Sequence, residues 1–468
     1  MSHSSDVWHL LRTRRFLPLF VTQLLGAFND NLFKHAVVLF VVYNHYNDEG
    51  SETWFSALTT ALFTLPFFFL SAISGQLADS NDKAKIIRIV KICEIGIMFV
   101  GATGLIMAWK GIMVDSVAIP LLLMAMFAMG THSTFFGPIK YAILPQHLEK
   151  QEVLGGTGLV EAGTYVAILG GTLLAGLIRV EIAAAMVLGV ALIGYFSGRM
   201  VPPAPPLEEG HKFDINIFTA SVRLVRATLK IRRLFLAIVA ISFFWTIGAV
   251  LFIQFPPLVK NALTSDKAVA SIFLAIFSIG VAIGSLLVNR LLKGEVSARY
   301  SPVAVILMGL CVLAFWYIST IWPRTGPGEP LYTVWDFLGS LGDFMHHPGA
   351  LLLSLSLLGI AVFGGIFVVP LYAFLTTTVK KSEAARTVAA NNIVNAGCMT
   401  IGALATMLIS NAGVSAADQL LMAAGMCLVS AWLAWVLHKA CDHPLEPHAD
   451  AEDEGDDAEA APAGGMGH

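Results

Sequence analysis

Four polar side chains, Asn29, Asp30, Asn31 and Lys34, sit near the middle of a largely apolar run from Phe16 to Val42. A carboxylate can hold a cation, a lysine ammonium can hold an anion such as phosphate, and the amides can donate or accept hydrogen bonds. A helix places Asp30 and Lys34, four apart, on one face where their charges can meet. The run is long enough to cross a bilayer, which takes about 20 residues. A charge at the bilayer centre costs about 3 kcal/mol, while a good apolar residue returns only about 0.5 kcal/mol. That face is therefore expected to look into protein or a wet cavity rather than lipid. The plainer reading is a buried ion pair that only joins two helices. A second polar set comprises Lys140 at the end of the fourth apolar run, Glu161 in the middle of the fifth, and Asn391, Asn392 and Asn395 in the eleventh. An interhelix lock from Glu161 to Lys34 or Lys140, and asparagines acting as interhelix glue, are the structural alternatives. Glu94 and His132 read as packing residues.

The scaffold that positions these groups is read from composition. The chain has 468 residues, 56% of them hydrophobic and only 13% charged, which excludes a soluble domain and points to a polytopic membrane protein. Its five cysteines are scattered without a C-x-x-C, so neither a disulfide framework nor a zinc site is suggested. His346-His347 lacks companions at metal-ligand spacing, and Gly155-Gly-Thr-Gly158 lacks the Lys-Ser/Thr ending of a phosphate loop. No cofactor and no nucleic-acid partner is expected. Arg12, Arg14 and Arg15 precede an apolar run too long and too charged for a signal peptide, so it reads as an uncleaved first span.

Twelve spans are expected, at roughly 16–42, 54–78, 84–108, 117–141, 152–178, 181–199, 233–257, 267–291, 299–322, 350–376, 384–410 and 415–438. Of the 29 Lys and Arg, 23 fall in alternate connections, among them Lys83, Lys85, Arg88 and Lys91 after the second span. The positive-inside rule then places both termini in the cytoplasm. Residues 201–232 divide the chain into 1–200 and 233–441. They open on a stiff Pro202-Pro-Ala-Pro-Pro206 and continue with Phe218, Val222, Val225 and Leu229 at helical spacing beside Arg223, Arg226 and Lys230. That pattern predicts a basic amphipathic helix on the inner leaflet. Residues 442–468 form an acidic tail without Lys or Arg and are expected to be disordered.

The halves repeat. Tyr141-Ala-Ile-Leu144 matches Tyr372-Ala-Phe-Leu375, and at the same offset Glu152 meets Glu383, Glu161 meets Asn392, and Gly171 meets Gly402. Gly75 meets Gly284 at a shorter offset, which implies an insertion at 323–349. An all-α membrane protein of twelve transmembrane helices in two pseudo-symmetric six-helix bundles is the major facilitator fold. Gly75-Gln-Leu-Ala-Asp79-Ser-Asn-Asp82-Lys83-Ala-Lys85 resembles the gating signature of that superfamily. The resemblance implies that Asp79 closes the cytoplasmic side, with Gly75 allowing close helix approach and Lys83 and Lys85 supplying charge, although Lys-Ala-Lys replaces the usual Gly-Arg-Lys. Pro138 and Pro370 are expected to bend or end their helices where gates move.

Four further motifs, Phe28-Asn-Asp-Asn-Leu-Phe-Lys34, Phe135-Phe-Gly-Pro-Ile-Lys-Tyr-Ala-Ile-Leu-Pro145, Gly158-Leu-Val-Glu161-Ala-Gly-Thr164 and Val369-Pro-Leu-Tyr-Ala-Phe-Leu375 with Ala389-Ala-Asn-Asn-Ile-Val-Asn395, together resemble the bacterial lysophospholipid transporter family. The resemblance implies a monomeric inner-membrane protein, not an enzyme, that moves lysophospholipid from the outer to the inner leaflet for a separate acyltransferase or acyl-carrier-protein synthetase to re-acylate. In that reading Asp30 and Glu161 receive an ethanolamine ammonium, Lys34 or Lys140 the phosphate, and Asn31, Asn392 and Asn395 with Gln254 bond the glycerol or stabilise helix ends. A proton-coupled exporter of amphipathic compounds and a non-transporting membrane enzyme or scaffold are the other readings.

Overall fold

The computed structural model describes residues 7–149, 152–206, 217–292, 297–323, 330–342, 348–377 and 381–442; the side chains of some helical residues, Asp79, Pro138 and Glu161 among them, lie outside that description. The acidic tail beyond Asp442 and His346-His347 also lie outside it. Twelve long helices carry the chain: α1 Leu17–Asn44, α2 Glu49–Ser80, α3 Lys83–Trp109, α4 Ile119–Ala142, α5 Val153–Leu177, α6 Val180–Arg199, α7 Arg232–Asn261, α8 Lys267–Leu291, α9 Ser301–Thr320, α10 Pro348–Thr377, α11 Lys381–Asn411 and α12 Ala416–Asp442. Eleven are long and apolar enough to cross a membrane, and α5 carries the apolar stretch Ala162–Leu177. The face that carries the start of α1 and the Asp82–Ala204 contact is here the terminal face; the opposite one is the far face.

Local chemistry starts these helices where charge and capping allow. Asp48 accepts from the Ser51 amide at 2.7 Å to open α2. Asp82 accepts from the Ala84 amide at 2.9 Å to open α3 and also holds the Ala204 amide at 3.0 Å, which ties the start of the linker to the α2–α3 turn. In the first half α1 packs on α5 and α6, α2 on α4, and α3 on α4 and α6. In the second half α7 packs on α11 and α12, α8 on α10, and α9 on α10 and α12. Adding six to each first-half pair reproduces the second. The main seams between the halves, α2 with α11 and α5 with α8, exchange under the same operation. This is the all-α major facilitator arrangement.

The glycines show how close the packing is. Gly171 of α5 is pressed on the Phe28 carbonyl of α1, and its repeat partner Gly402 of α11 is pressed on Thr246 of α7. Gly280 and Gly284 of α8 lie against α10, where a Cβ on Gly284 would overlap the Val362 carbonyl oxygen. Gly75 differs from expectation: a Cβ there meets nothing within 4 Å among the described residues in this conformation. Gly284→Ala should therefore destabilise the protein by about 1–3 kcal/mol, the usual cost of overpacking, while Gly75→Ala leaves thermal unfolding in detergent unchanged. Equal midpoints for the two variants would contradict this packing.

The two prolines singled out for bending or ending their helices lie inside them. α4 continues past Pro138 to Ala142, and α10 past Pro370 to Thr377, so neither helix ends at its proline. The 323–349 insertion is partly outside the described residues. Its remainder packs on the far face, where Tyr332 bridges to the Thr264–Asp266 turn, the Val334 amide donates to Asp266 at 3.2 Å, and Phe337 is buried beside Phe273.

Candidate functional site

Asp30 and Lys34 share the expected face of α1 but do not form an ion pair. Asp30 Oδ2 accepts from Ser133 Oγ of α4 at 2.5 Å, and Lys34 Nζ stands 5.2 Å from the centre of the Phe63 ring of α2. The reason is tertiary: α2 and α4 both pack near this face of α1 and supply partners that a lone helix lacks. Both charged residues are half-buried as whole side chains. Asp30 Oδ1 has no hydrogen-bond partner. Asn31 donates to its own helix, at the Ala27 carbonyl, 2.9 Å away.

Next to Asp30 lies an ionic cluster that sequence reasoning missed. Lys91, expected in the basic connection after the second span, has a fully buried side chain whose Nζ lies 2.5 Å from Glu94 Oε2. Asn29 of α1 donates to Glu94 Oε1 at 3.0 Å. His132 Nε2 lies 3.3 Å from Glu94 Oε2 but off the line of a hydrogen bond. Gly26, Gly194 and Gly198 leave the room that the lysine occupies: a Cβ on Gly26 would stand 3.0 Å from Nζ. The i, i+3 spacing of Lys91 and Glu94 within an apolar span was the available signal.

In the second half Asn395 takes the tying role. Its Oδ1 accepts from Ser242 Oγ of α7 at 2.7 Å and its Nδ2 donates to Tyr372 of α10 at 3.4 Å; Trp245 Nε1 of α7 donates to the same Tyr372 oxygen at 2.6 Å. The Trp245–Tyr372 bridge joins α7 to α10 as Asp30–Ser133 joins α1 to α4, the equivalent pairs under the repeat. Asn392 is exposed, while Asn391 is buried with its side-chain oxygen unpartnered. Gln254 is buried and donates to Gln419 of α12 at 2.7 Å, which ties α7 to α12. Lys140 is half-buried near the terminal-face end of α4. Glu161 lies in α5, with its side chain outside the described residues.

Of the gating set, Lys83 is buried and its amide donates to the Ala204 carbonyl at 3.0 Å, whereas Lys85 is exposed. Asp79 lies at the end of α2, its side chain outside the described residues. A second clip on this face joins Arg15 to Glu152 at 2.7 Å. The Glu149 amide first, and the Arg15 and His9 charges after it, hold the Glu152 carboxyl below the usual glutamate range.

The far face is latched. Lys260 Nζ of α7 donates to the carbonyls of Val42 and Tyr46 at 2.5 and 2.7 Å and to Glu52 Oε1 at 2.5 Å, and Asn261 donates to the other Glu52 oxygen. Tyr43 OH donates to the Ser265 carbonyl at 3.0 Å, Lys267 Nζ to that of Ile178 at 2.7 Å, and Ser410 Oγ to that of Gly50 at 3.0 Å. These bonds join the two halves and close the bundle on that side.

The sequence profile of the family described as "transmembrane secretion effector" matches residues 47–324. The chain belongs to this major facilitator family. It is 23% identical to the lysophospholipid transporter LplT of Photorhabdus laumondii over 80% of this chain and 82% of that protein. The LplT of Salmonella typhi is 24% identical over 82% and 83%. A solved bacterial homologue of the human lysosomal transporter Spinster, in an inward-facing unoccupied conformation, covers 96% of this chain and 100% of its own length at a TM-score of 0.65 and 12% identity, a likeness of fold alone. The major facilitator fold expected from the repeat is the one found, the relatives it resembles are named lysophospholipid transporters, and the protein is a multi-pass membrane transporter.

Proposed function

We propose that this major facilitator protein moves lysophospholipid from the outer to the inner leaflet of a bacterial inner membrane, with its terminal face cytoplasmic and its halves 1–200 and 233–441 rocking about a central polar space. The observation that carries this reading is the half-buried pair Asp30 and Lys34 in α1: an acid and a base on one face, unpaired with each other, match the ammonium and phosphate of a zwitterionic head group. Similarity to proteins named lysophospholipid transporter supports the substrate class. Glu161 and Lys140 would complete the head-group site from α5 and α4, and Asn31, Asn392 and Asn395 would border it. The acyl chain would stay in lipid or an apolar groove during the crossing. In this scheme Asp79, Lys83 and Lys85 act at the cytoplasmic gate, the protein works as a monomer, and a separate acyltransferase consumes the delivered lipid.

The test is flux of labelled lysophosphatidylethanolamine between leaflets of liposomes holding the protein. Asp30→Asn and Lys34→Met should each slow it roughly tenfold or more, since a charge-assisted hydrogen bond is worth about 1.5–3 kcal/mol. Parent-like flux in both variants removes these residues from the site. Flux that instead follows an imposed proton gradient, without lysophospholipid preference, favours a proton-coupled exporter.

A further inference from the structure

The helix Ile217–Leu229 of the linker packs against both α2 and α11, across the seam where the two halves meet. Between this helix and the seam is a cavity of about 670 Å³, within the range of about 300–1,000 Å³ that holds small-molecule ligands. Its walls are apolar: Phe68 and Phe69 of α2, Gly397 and Ile401 of α11. Its rim carries two cations, Arg226 and Lys230, which are four apart on the linker segment and so share one side of it. Both are exposed, and neither forms an ion pair among the described residues. Lys230 lies two residues before α7, which starts at Arg232, so the cations stand at the terminal-face end of the bundle.

We infer that this groove holds one anionic phospholipid of the terminal-face leaflet, with an acyl chain on the phenylalanine and glycine walls and its phosphate between Arg226 and Lys230. Charge selects the occupant: two exposed cations without an ion pair among the described residues, beside a wall of carbon, match an anion joined to a hydrocarbon chain. A soluble anion leaves the walls exposed to water, and a neutral chain leaves the cations unanswered. The occupant touches α2 of one half, α11 of the other and the linker between them. A lipid that fits this arrangement better than the rearranged one stabilises the conformation with the far face closed. The site is thus a resident lipid site, separate from the Asp30–Lys34 region, and it stands whichever amphiphile the transporter moves.

Cys398 lines the same groove and is half-buried, while Cys93 of α3 is exposed and remote from it, so one protein reports both site and control. The experiment is peptide-resolved maleimide labelling of purified protein in detergent with added phosphatidylglycerol, phosphatidylcholine or inorganic phosphate, together with native mass spectrometry of retained lipid. Phosphatidylglycerol should slow labelling of Cys398 about tenfold more than phosphatidylcholine, on the scale of surface cations near anionic lipid, and leave Cys93 unaffected. One phosphatidylglycerol should be retained per chain. The exposed double variant Arg226→Gln/Lys230→Gln should keep the fold, as judged by Cys93 reactivity and thermal unfolding, and lose the preference. Equal protection by the two lipids, protection by phosphate alone, or an unchanged preference in the double variant overturns the inference. None of these outcomes depends on lysophospholipid flux, so failure here is distinguishable from failure of the transport reading.

Discussion

Replacing Lys91 with methionine should lower the stability of the protein by about 3–5 kcal/mol, the cost of leaving one member of a buried ion pair without its partner. Lys91 is fully buried and its ammonium faces Glu94, which also receives Asn29. With the lysine gone, a carboxylate between α1, α3 and α4 keeps an amide and a neighbouring imidazole but no fixed cation. The double variant Lys91→Met/Glu94→Gln should recover most of the loss, because removing both charges removes the desolvation problem. Thermal unfolding in detergent measures both. Parent-like stability in the single variant would mean that Lys91 reaches solvent after all. Because Asn29 precedes Asp30, and His132 precedes Ser133, the same change should also disturb the hydrogen bond that orients Asp30, and flux should fall with stability.

The second large effect concerns the latch. Lys260→Met removes the cation that holds Val42, Tyr46 and Glu52 to α7 and leaves Glu52, which is fully buried, with Asn261 as its remaining described partner. The loss falls only on the conformation in which the far face is closed. A conformational equilibrium of this kind is balanced within a few kcal/mol, so a bias of about 3 kcal/mol against one state moves it by roughly two orders of magnitude. Spin labels placed at Asn47 and Val414, exposed positions in the α1–α2 and α11–α12 turns, should report a longer distance in the variant. An unchanged distance distribution would show that the remaining bonds, such as Tyr43 to Ser265 and Lys267 to Ile178, hold the face shut by themselves.

Lys91 and Lys260 also mark where reading the chain alone falls short. Lys91 lies at the end of an apolar run among other basic residues, and a lysine with a long aliphatic stem can snorkel either toward head groups or into the bundle. Which way it goes is decided by the gaps at Gly26, Gly194 and Gly198, on two other helices. Lys260 stands at the end of an apolar run with nothing in its sequence neighbourhood to indicate that Glu52 of α2 receives it. Asp30 and Lys34 were placed on the right face but not with the right partners, since Ser133 and Phe63 come from helices whose registers local spacing does not state. The linker helix, by contrast, was legible from its own periodicity; the groove beneath it was not.

Membership of a twelve-helix membrane family, the approximate span limits, the repeat that pairs Gly171 with Gly402, and the presence of costly charge in the first span are all properties of the chain as written. Each follows from interactions between residues near one another in sequence, or from the price of placing a side chain in hydrocarbon. The partners of those charges, the latch on the far face and the cavity at the seam come only from the assembled bundle. They depend on which helix faces meet and how closely, and that is settled by glycine gaps and side-chain shapes distributed over segments hundreds of residues apart.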